Sequence, residues 1–289
     1  SALPTWAQVL PLPLGLLAAD HIVTVSPHYA QEILTPEFGA GLEDFLASRA
    51  GSISGILNGI DTARWDPAAD PHLAASFDRE NIHLRWTNKT SLQHEFNLPV
   101  DPAVPLIGVV SRLDYQKGID LLPDAFRTIR DHDGQLIVLG TGDPALERAL
   151  NQLETQFPHR ARAAIRFDSA LSSRIFASAD LTLIPSRYEP CGLTQMIAMR
   201  YGCVPLARAT GGLVDTIQDR LGDHTNTGFL FKDAASPALA RTLERALMVY
   251  TDQDSWRELQ RNGMRQDFSW HTSASQYLQR YNIMTSTRK

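Results

Sequence analysis

Between residues 105 and 231, short apolar runs alternate with segments whose apolar residues recur at helical spacing. This alternation predicts strands joined by helices in a parallel sheet, so the predicted fold class is α/β. The strands are predicted at residues 106–111, 135–139, 164–167, 181–185, 204–207 and 228–231. The helices are predicted at residues 120–130, 145–157, 172–179, 193–201, 212–218, 237–250 and 256–264.

Another part of the chain precedes this sheet. An apolar run at residues 22–25 is followed by Ser26 and Pro27, which are typical of the cap and the first position of a helix. A further apolar run ends in the turn Asn58-Gly59, and prolines then mark an extended connector before residue 106. We place the boundary between this first part and the sheet-forming part near Asp61.

The amino-acid composition limits the binding partners and the cellular compartment that are expected. The 289 residues include 27 Lys and Arg against 32 Asp and Glu, a formal net charge of −5 without a basic block, so no nucleic-acid partner is expected. No apolar run reaches the ~18 residues of a membrane span, so no membrane partner is expected. Cys191 and Cys203 provide neither a disulfide framework nor zinc-type spacing, and a reducing cytoplasm is the simplest setting. Because Ser1 leads directly into an apolar helical pattern, we expect a piece of a longer protein.

The loop after the first predicted strand of the sheet carries two cations. Such sheets bind ligands in the crevice at the carboxyl ends of their strands. Arg112 and Lys117 flank that crevice beside a helix start, where they can form a diphosphate clamp. Two solvated loop cations would give the same pattern, so this loop alone leaves both interpretations open.

Two further loops at the same edge offer a carboxylate and backbone amides. Glu189 can accept hydrogen bonds from sugar hydroxyls, and Gly192 and Leu193 can offer free amides at a helix start. The alternative for Glu189 is compensation of charge at the helix start. The paired Gly211 and Gly212 can leave unpaired amides that face a ligand, or can form an ordinary tight turn. Cations, a carboxylate and amides at one sheet edge together favour a nucleotide-sugar site.

The same loops resemble the motifs of bacterial glycogen and starch synthases. The matching segments are DYQKG at 114–118, RYEPCGLTQ at 187–195, TGGL at 210–213, LNGID at 57–61, TPEFG at 35–39 and DFSW at 267–270. This resemblance implies a GT-B fold with two Rossmann-like domains. Residues 1–60 would then be the end of the acceptor-side domain, residues 61–268 the complete nucleotide-sugar-binding domain, and residues 269–289 a helix that returns toward the first domain.

The resemblance also implies an activity and its partners. The family transfers glucose from ADP-glucose to the non-reducing end of an α-1,4-glucan such as glycogen, with retention of configuration. ADP-glucose is a substrate, so no cofactor and no metal are expected. The family's N-terminal lysine and glycine motif, and its histidine beside the transferred sugar, have no counterpart in residues 1–289. We therefore expect this chain alone to bind substrate without completing catalysis.

Matched position by position, the resemblance implies roles for individual residues. The candidate catalytic residues are Arg112 and Lys117, which would neutralise the leaving diphosphate, and Glu189, which would hold glucose hydroxyls. The candidate substrate-binding residues are Asn58, Phe167, Cys191, Gly192, Leu193, Gly211, Gly212 and Leu213. Phe167 would stack on adenine, although a lone Phe is more often a core residue, and Asn58 would lie near the sugar unless it serves only its turn.

Two rival functions remain open at this point. Residues 140–145 read GTGDPA and match a dinucleotide-binding fingerprint, with Asp168 downstream, which would indicate an NAD-dependent dehydrogenase. That interpretation leaves the loops of Arg112, Lys117 and Glu189 unexplained. The second rival is a nucleotide-sugar or glucan-binding module without catalysis, which the expected lack of upstream catalytic residues makes a serious alternative for this chain.

Overall fold

The computed structural model of the protein describes residues 2–220 and 222–286. Parts of the predicted domain ranges therefore lie outside the described residues: position 1 of the first part, position 221 of the second and positions 287–289 of the C-terminal helix. No helix within the described ranges is both long enough and apolar enough to cross a lipid bilayer.

The first part of the chain folds around a pair of parallel strands. These strands are β1 (Ile22–Thr24) and β2 (Ile53–Gly55), and the accompanying helices are α1 (Pro11–Ala18), α2 (Pro27–Glu32) and α3 (Glu43–Ser48). Short 3-10 helices at Thr5–Val9 and Ala50–Ser52 complete this part. The predicted helix start is confirmed, because the Ser26 hydroxyl accepts the Tyr29 amide at 2.8 Å and Pro27 opens α2.

The central sheet follows α4 (Arg85–Glu95), and all of its strand pairs are parallel. Among the described residues it has six strands: β3 (Leu106–Val110), β4 (Gln135–Gly140), β5 (Ala161–Ile165), β6 (Leu181–Ile184), β7 (Val204–Arg208) and β8 (Phe229–Phe231). Their spatial order is β5-β4-β3-β6-β7-β8, so the predicted α/β class with a parallel sheet is confirmed. The strand order reverses between β3 and β6, which opens a crevice at their carboxyl ends.

Helices cover both faces of this sheet. They are α5 (Leu122–Asp131), α6 (Pro144–Gln156), α7 (Ser169–Ser178), α8 (Thr194–Arg200), α9 (Gly211–Thr216), α10 (Ser236–Tyr250) and α11 (Gln253–Arg265). The helix α12 (Trp270–Ser286) follows them and is mostly exposed, with Ser273 its one buried residue. Ile107 and Val109 of β3 join the apolar cluster of α5 and α10, whereas Leu106 joins the cluster of α4 and α7. Burial on both faces explains why the strands read as nearly continuous apolar runs.

One strand prediction was displaced. The strand predicted at residues 164–167 is observed at Ala161–Ile165, where Leu136 of β4 pairs with Ala161 and Gly140 pairs with Ile165. The strand lies at the edge of the sheet and carries Arg162, whose guanidinium donates to the carbonyl of Phe96 at 2.5 Å. Small and charged residues on an edge strand give a weak apolar signal. The strand was therefore predicted too far along the chain, at the large apolar residues Ile165 and Phe167.

Candidate functional site

The loops that follow β3 and β6 form one continuous wall at the reversal of strand order. The Arg187 amide donates to the Gln116 carbonyl at 2.8 Å. The Arg187 guanidinium donates to both carboxylate oxygens of Asp120, at 2.6 and 2.8 Å, and lies 3.6 Å from the centre of the Tyr115 ring. These hydrogen bonds to Asp120 raise the pKa of Arg187. Arg187, for which the sequence predicted no role, therefore joins the two loops.

Lys117 and Glu189, which were predicted from different loops, form an ion pair in this wall. The Nζ of Lys117 lies 2.5 Å from Oε2 of Glu189, and the Ser186 hydroxyl donates to the same oxygen at 2.9 Å. The side chains of the pair are 19% and 10% exposed, and both line a small cleft that also includes Ser111. The alternative of a solvated loop cation is therefore wrong for Lys117.

Arg112 has a different partner. Its guanidinium lies 2.9 Å from the carboxylate of Asp114, and its side chain is 66% exposed. Asp114 also accepts the Lys117 amide at 2.8 Å, so one carboxylate organises both cationic positions of the loop. Arg112 and Lys117 are thus each paired with a separate carboxylate. The role of Asp114 as a partner of Arg112 was not predicted, although its position two residues after Arg112 could have indicated it.

A cavity of about 330 Å³ opens beside Arg112. Phe167 lines it from the loop after β5, and the residue is 89% exposed, so its ring is available for contact. Val110 and Ser111 line both this cavity and the cleft of Lys117, so the two spaces adjoin at the carboxyl end of β3. An elongated ligand with an aromatic end and an anionic centre matches this arrangement.

The glycine turn at residues 210–213 packs against the neighbouring loop and against the first part of the chain. The Gly211 amide donates to Oε1 of Glu32 at 3.0 Å, and the Thr210 hydroxyl donates to the same oxygen at 2.9 Å. Gly211 has a φ of +46°, and a Cβ atom there would lie 2.0 Å from the carbonyl oxygen of Glu189. Only glycine fits this close contact between the two loops.

The other two amides of the turn are also engaged. The Gly212 amide donates to the Glu189 carbonyl at 3.2 Å, and the Leu213 amide donates to the Thr210 carbonyl at 3.1 Å. The expectation of unpaired amides is therefore wrong for Gly211 and Gly212. The Leu213 bond closes a local turn, whereas the partners of Gly211 and Gly212 come from Glu32 and from the Glu189 loop, which no local pattern reveals.

The remaining predicted residues lie around the Glu189 loop. A hydrogen bond links the Asn58 backbone to the Cys191 thiol, and burial raises the pKa of that thiol. The Gly192 carbonyl accepts the Gln195 side-chain amide at 2.9 Å, and Leu193 is 42% exposed just before α8. The structure therefore places the Asn58 backbone against Cys191, in the same loop as Glu189, Gly192 and Leu193.

The dinucleotide fingerprint at residues 140–145 has a packing explanation. A Cβ atom on Gly140 would lie 1.8 Å from the carbonyl oxygen of Ser111, so the glycine permits close contact of the loops after β3 and β4. Asp168 caps α7 by accepting the Leu171 amide at 2.8 Å, and this bond lowers the pKa of Asp168. Neither feature requires a dinucleotide. In the part of the chain that the structure describes, no group of three or more His, Cys, Asp or Glu residues is placed to hold a metal ion.

Comparison with known sequences identifies two families. Residues 92–263 match the family described as "Glycosyl transferases group 1", and residues 1–48 match the family described as "Starch synthase catalytic domain". The glycogen synthase of Anaeromyxobacter dehalogenans is 48% identical over 274 residues, which cover 95% of this chain and 57% of that protein. The glycogen synthase of Serratia proteamaculans is 43% identical over 282 residues, which cover 96% of this chain and 59% of that protein. The chain thus spans little more than half the length of these relatives.

Solved structures agree with this assignment. The catalytic domain of starch synthase IV from Arabidopsis thaliana, bound to ADP and acarbose, matches with a TM-score of 0.88 and 40% identity, over 95% of this chain and 58% of that chain. A glycosyltransferase from Rickettsia africae matches with a TM-score of 0.65 at 19% identity, over 92% and 63%, which shows a shared fold. The predicted GT-B fold class is confirmed, and the chain belongs to the glycogen and starch synthase family of glycosyltransferases.

Proposed function

We propose that the whole protein transfers glucose from ADP-glucose to the non-reducing end of an α-1,4-glucan, with retention of configuration. The observation that carries the proposal is the pair of Lys117 and Glu189 at the point where strand order reverses. An ammonium and a carboxylate side by side can meet a leaving phosphate and sugar hydroxyls, respectively. The Arabidopsis starch synthase is described with ADP and acarbose bound, which supports an adenine nucleotide donor and a glucan acceptor. Cys191 and Cys203 are free, buried thiols, and we place the protein in the cytoplasm.

The donor is proposed to lie along the carboxyl end of β3. Adenine occupies the 330 Å³ cavity with Phe167 stacked on the base. The diphosphate extends past Ser111 and Arg112 toward Lys117, because the cavity and the cleft adjoin there. Glucose then meets Glu189. Asn58, Cys191, Gly192 and Leu193 border the sugar, and the turn of Gly211, Gly212 and Leu213 approaches the phosphate.

The proposed mechanism uses preorganised positive charge. As the bond between the anomeric carbon and the β-phosphate oxygen breaks, the electron pair passes to the phosphate and the anomeric carbon becomes cationic. The Lys117 ammonium stabilises the growing negative charge, and Glu189 holds that ammonium in place before the donor arrives. The acceptor hydroxyl attacks from the face that the phosphate leaves and gives its proton to the phosphate, which yields an α-linkage. Because side-chain cations stabilise the negative charge on the leaving phosphate, the proposed mechanism needs no metal ion. A chelator is therefore expected to leave the rate of glucose transfer nearly unchanged.

For the chain of 289 residues alone, we propose donor binding without elongation. The residues that contact the donor in this scheme lie at position 58 and beyond, whereas the family's lysine and glycine motif has no counterpart in the sequence. A second candidate function for this chain is therefore a nucleotide-sugar-binding module. The same geometry favours it, because the cavity, the ion pair and Phe167 are complete within one chain.

Calorimetry with ADP on the folded chain tests the proposal, and circular dichroism establishes folding. We expect a saturable heat for the unaltered chain and for Arg130→Ala, a surface variant whose guanidinium pairs only with the adjacent Asp131 among its described contacts. Absence of ADP binding to the folded chain would refute the site. A longer protein that includes the upstream half should elongate glucan with ADP-glucose, and NMR of the new linkage should show the α-anomer; a β-linkage would exclude the mechanism.

A further inference from the structure

Helices α2 and α9 bind each other through two carboxylates, one from each helix. Asp215 of α9 accepts the Ser26 hydroxyl at 2.5 Å and the His28 amide at 3.1 Å, at the start of α2. Glu32 of α2 accepts the Thr210 hydroxyl and the Gly211 amide, at the start of α9. The two contacts are equivalent in form and join the first part of the chain to the large sheet domain.

The two carboxylates differ in what surrounds them. Glu32 has a side chain that is only 12% exposed, and its Oε2 is buried without a hydrogen-bond partner among the described residues. The imidazole of His28 lies 3.5 Å from the other oxygen, Oε1. A buried carboxylate oxygen without a partner costs free energy, so the contact of Glu32 with the turn is not fully satisfied.

Glu32 contacts Gly211, a residue next to the proposed donor site. The Gly211 turn packs on the carbonyl of Glu189, the residue paired with Lys117. The proposed function brings the donor phosphate to this turn. A single amide hydrogen cannot make full hydrogen bonds to two anions, and two anions that share a water-poor space repel each other.

We propose that Glu32 is a positioning residue. It holds the Gly211 turn in the absence of donor, and the donor phosphate displaces it when the donor binds. The inference rests on the proposed function, because it takes the phosphate to this turn. Donor binding then breaks the Glu32 contact while the Asp215 contact can remain. The first part of the chain is thereby coupled to occupation of the donor site.

The decisive variant is Glu32→Gln, which keeps an oxygen that can accept from Thr210 and Gly211 but removes the negative charge. Because repulsion of the phosphate is removed, we expect ADP to bind about 3- to 10-fold more tightly than to the unaltered chain. Adenosine, which has no phosphate, should bind both proteins equally. A purely structural role for Glu32 would instead give equal or weaker binding of ADP.

Asp215→Asn is the matched control. This substitution also removes one negative charge from the contact between α2 and α9. The Asp215 carboxylate, however, contacts the start of α2 and not the Gly211 amide. We expect it to lower the melting temperature and to leave the dissociation constant of ADP within about twofold, because the phosphate gains nothing at that position.

Calorimetry on the three folded proteins separates the outcomes. Tighter ADP binding by Glu32→Gln alone supports the inference. The inference is overturned if Glu32→Gln binds ADP no better than the unaltered chain, or if Asp215→Asn tightens binding equally, which would indicate general loosening of the helix pair. If the unaltered chain and both variants are folded and none binds ADP, the proposed function fails first and the inference fails with it.

Discussion

Lys117 and Glu189 are 72 residues apart in the sequence, yet their Nζ and Oε2 atoms lie 2.5 Å apart. The topology explains this proximity, because β3 and β6 are neighbours although β4 and β5 lie between them in the chain. The loops that leave their carboxyl ends must therefore meet. The cation and the carboxylate that were predicted from separate loops are thus one preformed unit rather than two independent residues.

Lys117→Ala is expected to reduce catalysis more than binding. In a longer protein that includes the upstream half, the loss of a donor preorganised for the leaving group should lower kcat by on the order of 10² to 10³. The effect on kcat should exceed that on KM, because charge on the phosphate grows toward the transition state. Steady-state kinetics with ADP-glucose measure both constants.

Lys117→Arg is the matched variant for charge. It should recover only part of kcat, since a planar guanidinium cannot replace a compact ammonium next to Glu189 without displacing the diphosphate. An effect confined to KM would make Lys117 a binding residue and would transfer the leaving-group role to Arg112. Unchanged kcat and KM would exclude both roles for Lys117.

Phe167→Ala is expected to weaken ADP binding without destabilising the fold. The residue is 89% exposed, so removal of its ring should change the free energy of unfolding by no more than about 0.5 kcal/mol. Loss of stacking on a base should cost about 1–3 kcal/mol of binding free energy, measured by calorimetry. Phe167→Tyr should bind normally. Trp86→Ala, at another exposed aromatic residue, should also leave ADP affinity unchanged; equal affinities for all four proteins would exclude Phe167 from the adenine site.

The sequence was sufficient for the parallel sheet, apart from the position of its edge strand β5, and for the loops that carry Lys117 and Glu189. Strand periodicity is a local signal, and in such a sheet ligand-binding loops follow the carboxyl ends of the strands. It was insufficient where partners are distant. The Gly211 amide is bound by Glu32, 179 residues away, so its engagement could not be read from the glycine pattern. Helix α4 was missed for a related reason. Its buried residues Arg85 and Lys89 are polar, and their partners come from segments that follow much later.

Asp180→Ala tests the importance of this polar contact for the fold. The carboxylate accepts the Lys89 ammonium at 2.7 Å and the Leu106 amide at 2.8 Å, and the Lys89 side chain is only 4% exposed. Removing one partner leaves a buried charge unpaired, so the free energy of unfolding should fall by about 3–5 kcal/mol in urea titrations. Asp131→Ala, which removes a carboxylate paired at the surface with Arg130, should cost at most about 1 kcal/mol. Similar costs for the two variants would contradict a structural role for the buried pair.

Cys203 gives the fold a defined sensitivity to alkaline pH. Burial raises the pKa of its thiol to about 12, against the partial opposition of Arg85. The neutral thiol is therefore favoured in the folded state, and its contribution to stability is complete below the ordinary pKa of a thiol, near 8.5–9. That contribution is lost as the pH rises from there toward about 12, because the unfolded chain releases the proton first.

Cys203→Ala should remove this dependence. The free energy of unfolding of the unaltered chain, minus that of the variant, should decrease by about 1.4 kcal/mol per pH unit between pH 9 and pH 11. Urea titrations of both proteins at pH 7, 8, 9, 10 and 11 in the presence of a reductant provide the difference at each pH. Tyr201 and Tyr250 also have raised pKa values, but they titrate in both proteins and cancel in the subtraction. A difference that stays constant from pH 7 to pH 11 would show that Cys203 ionises equally in the folded and unfolded chains.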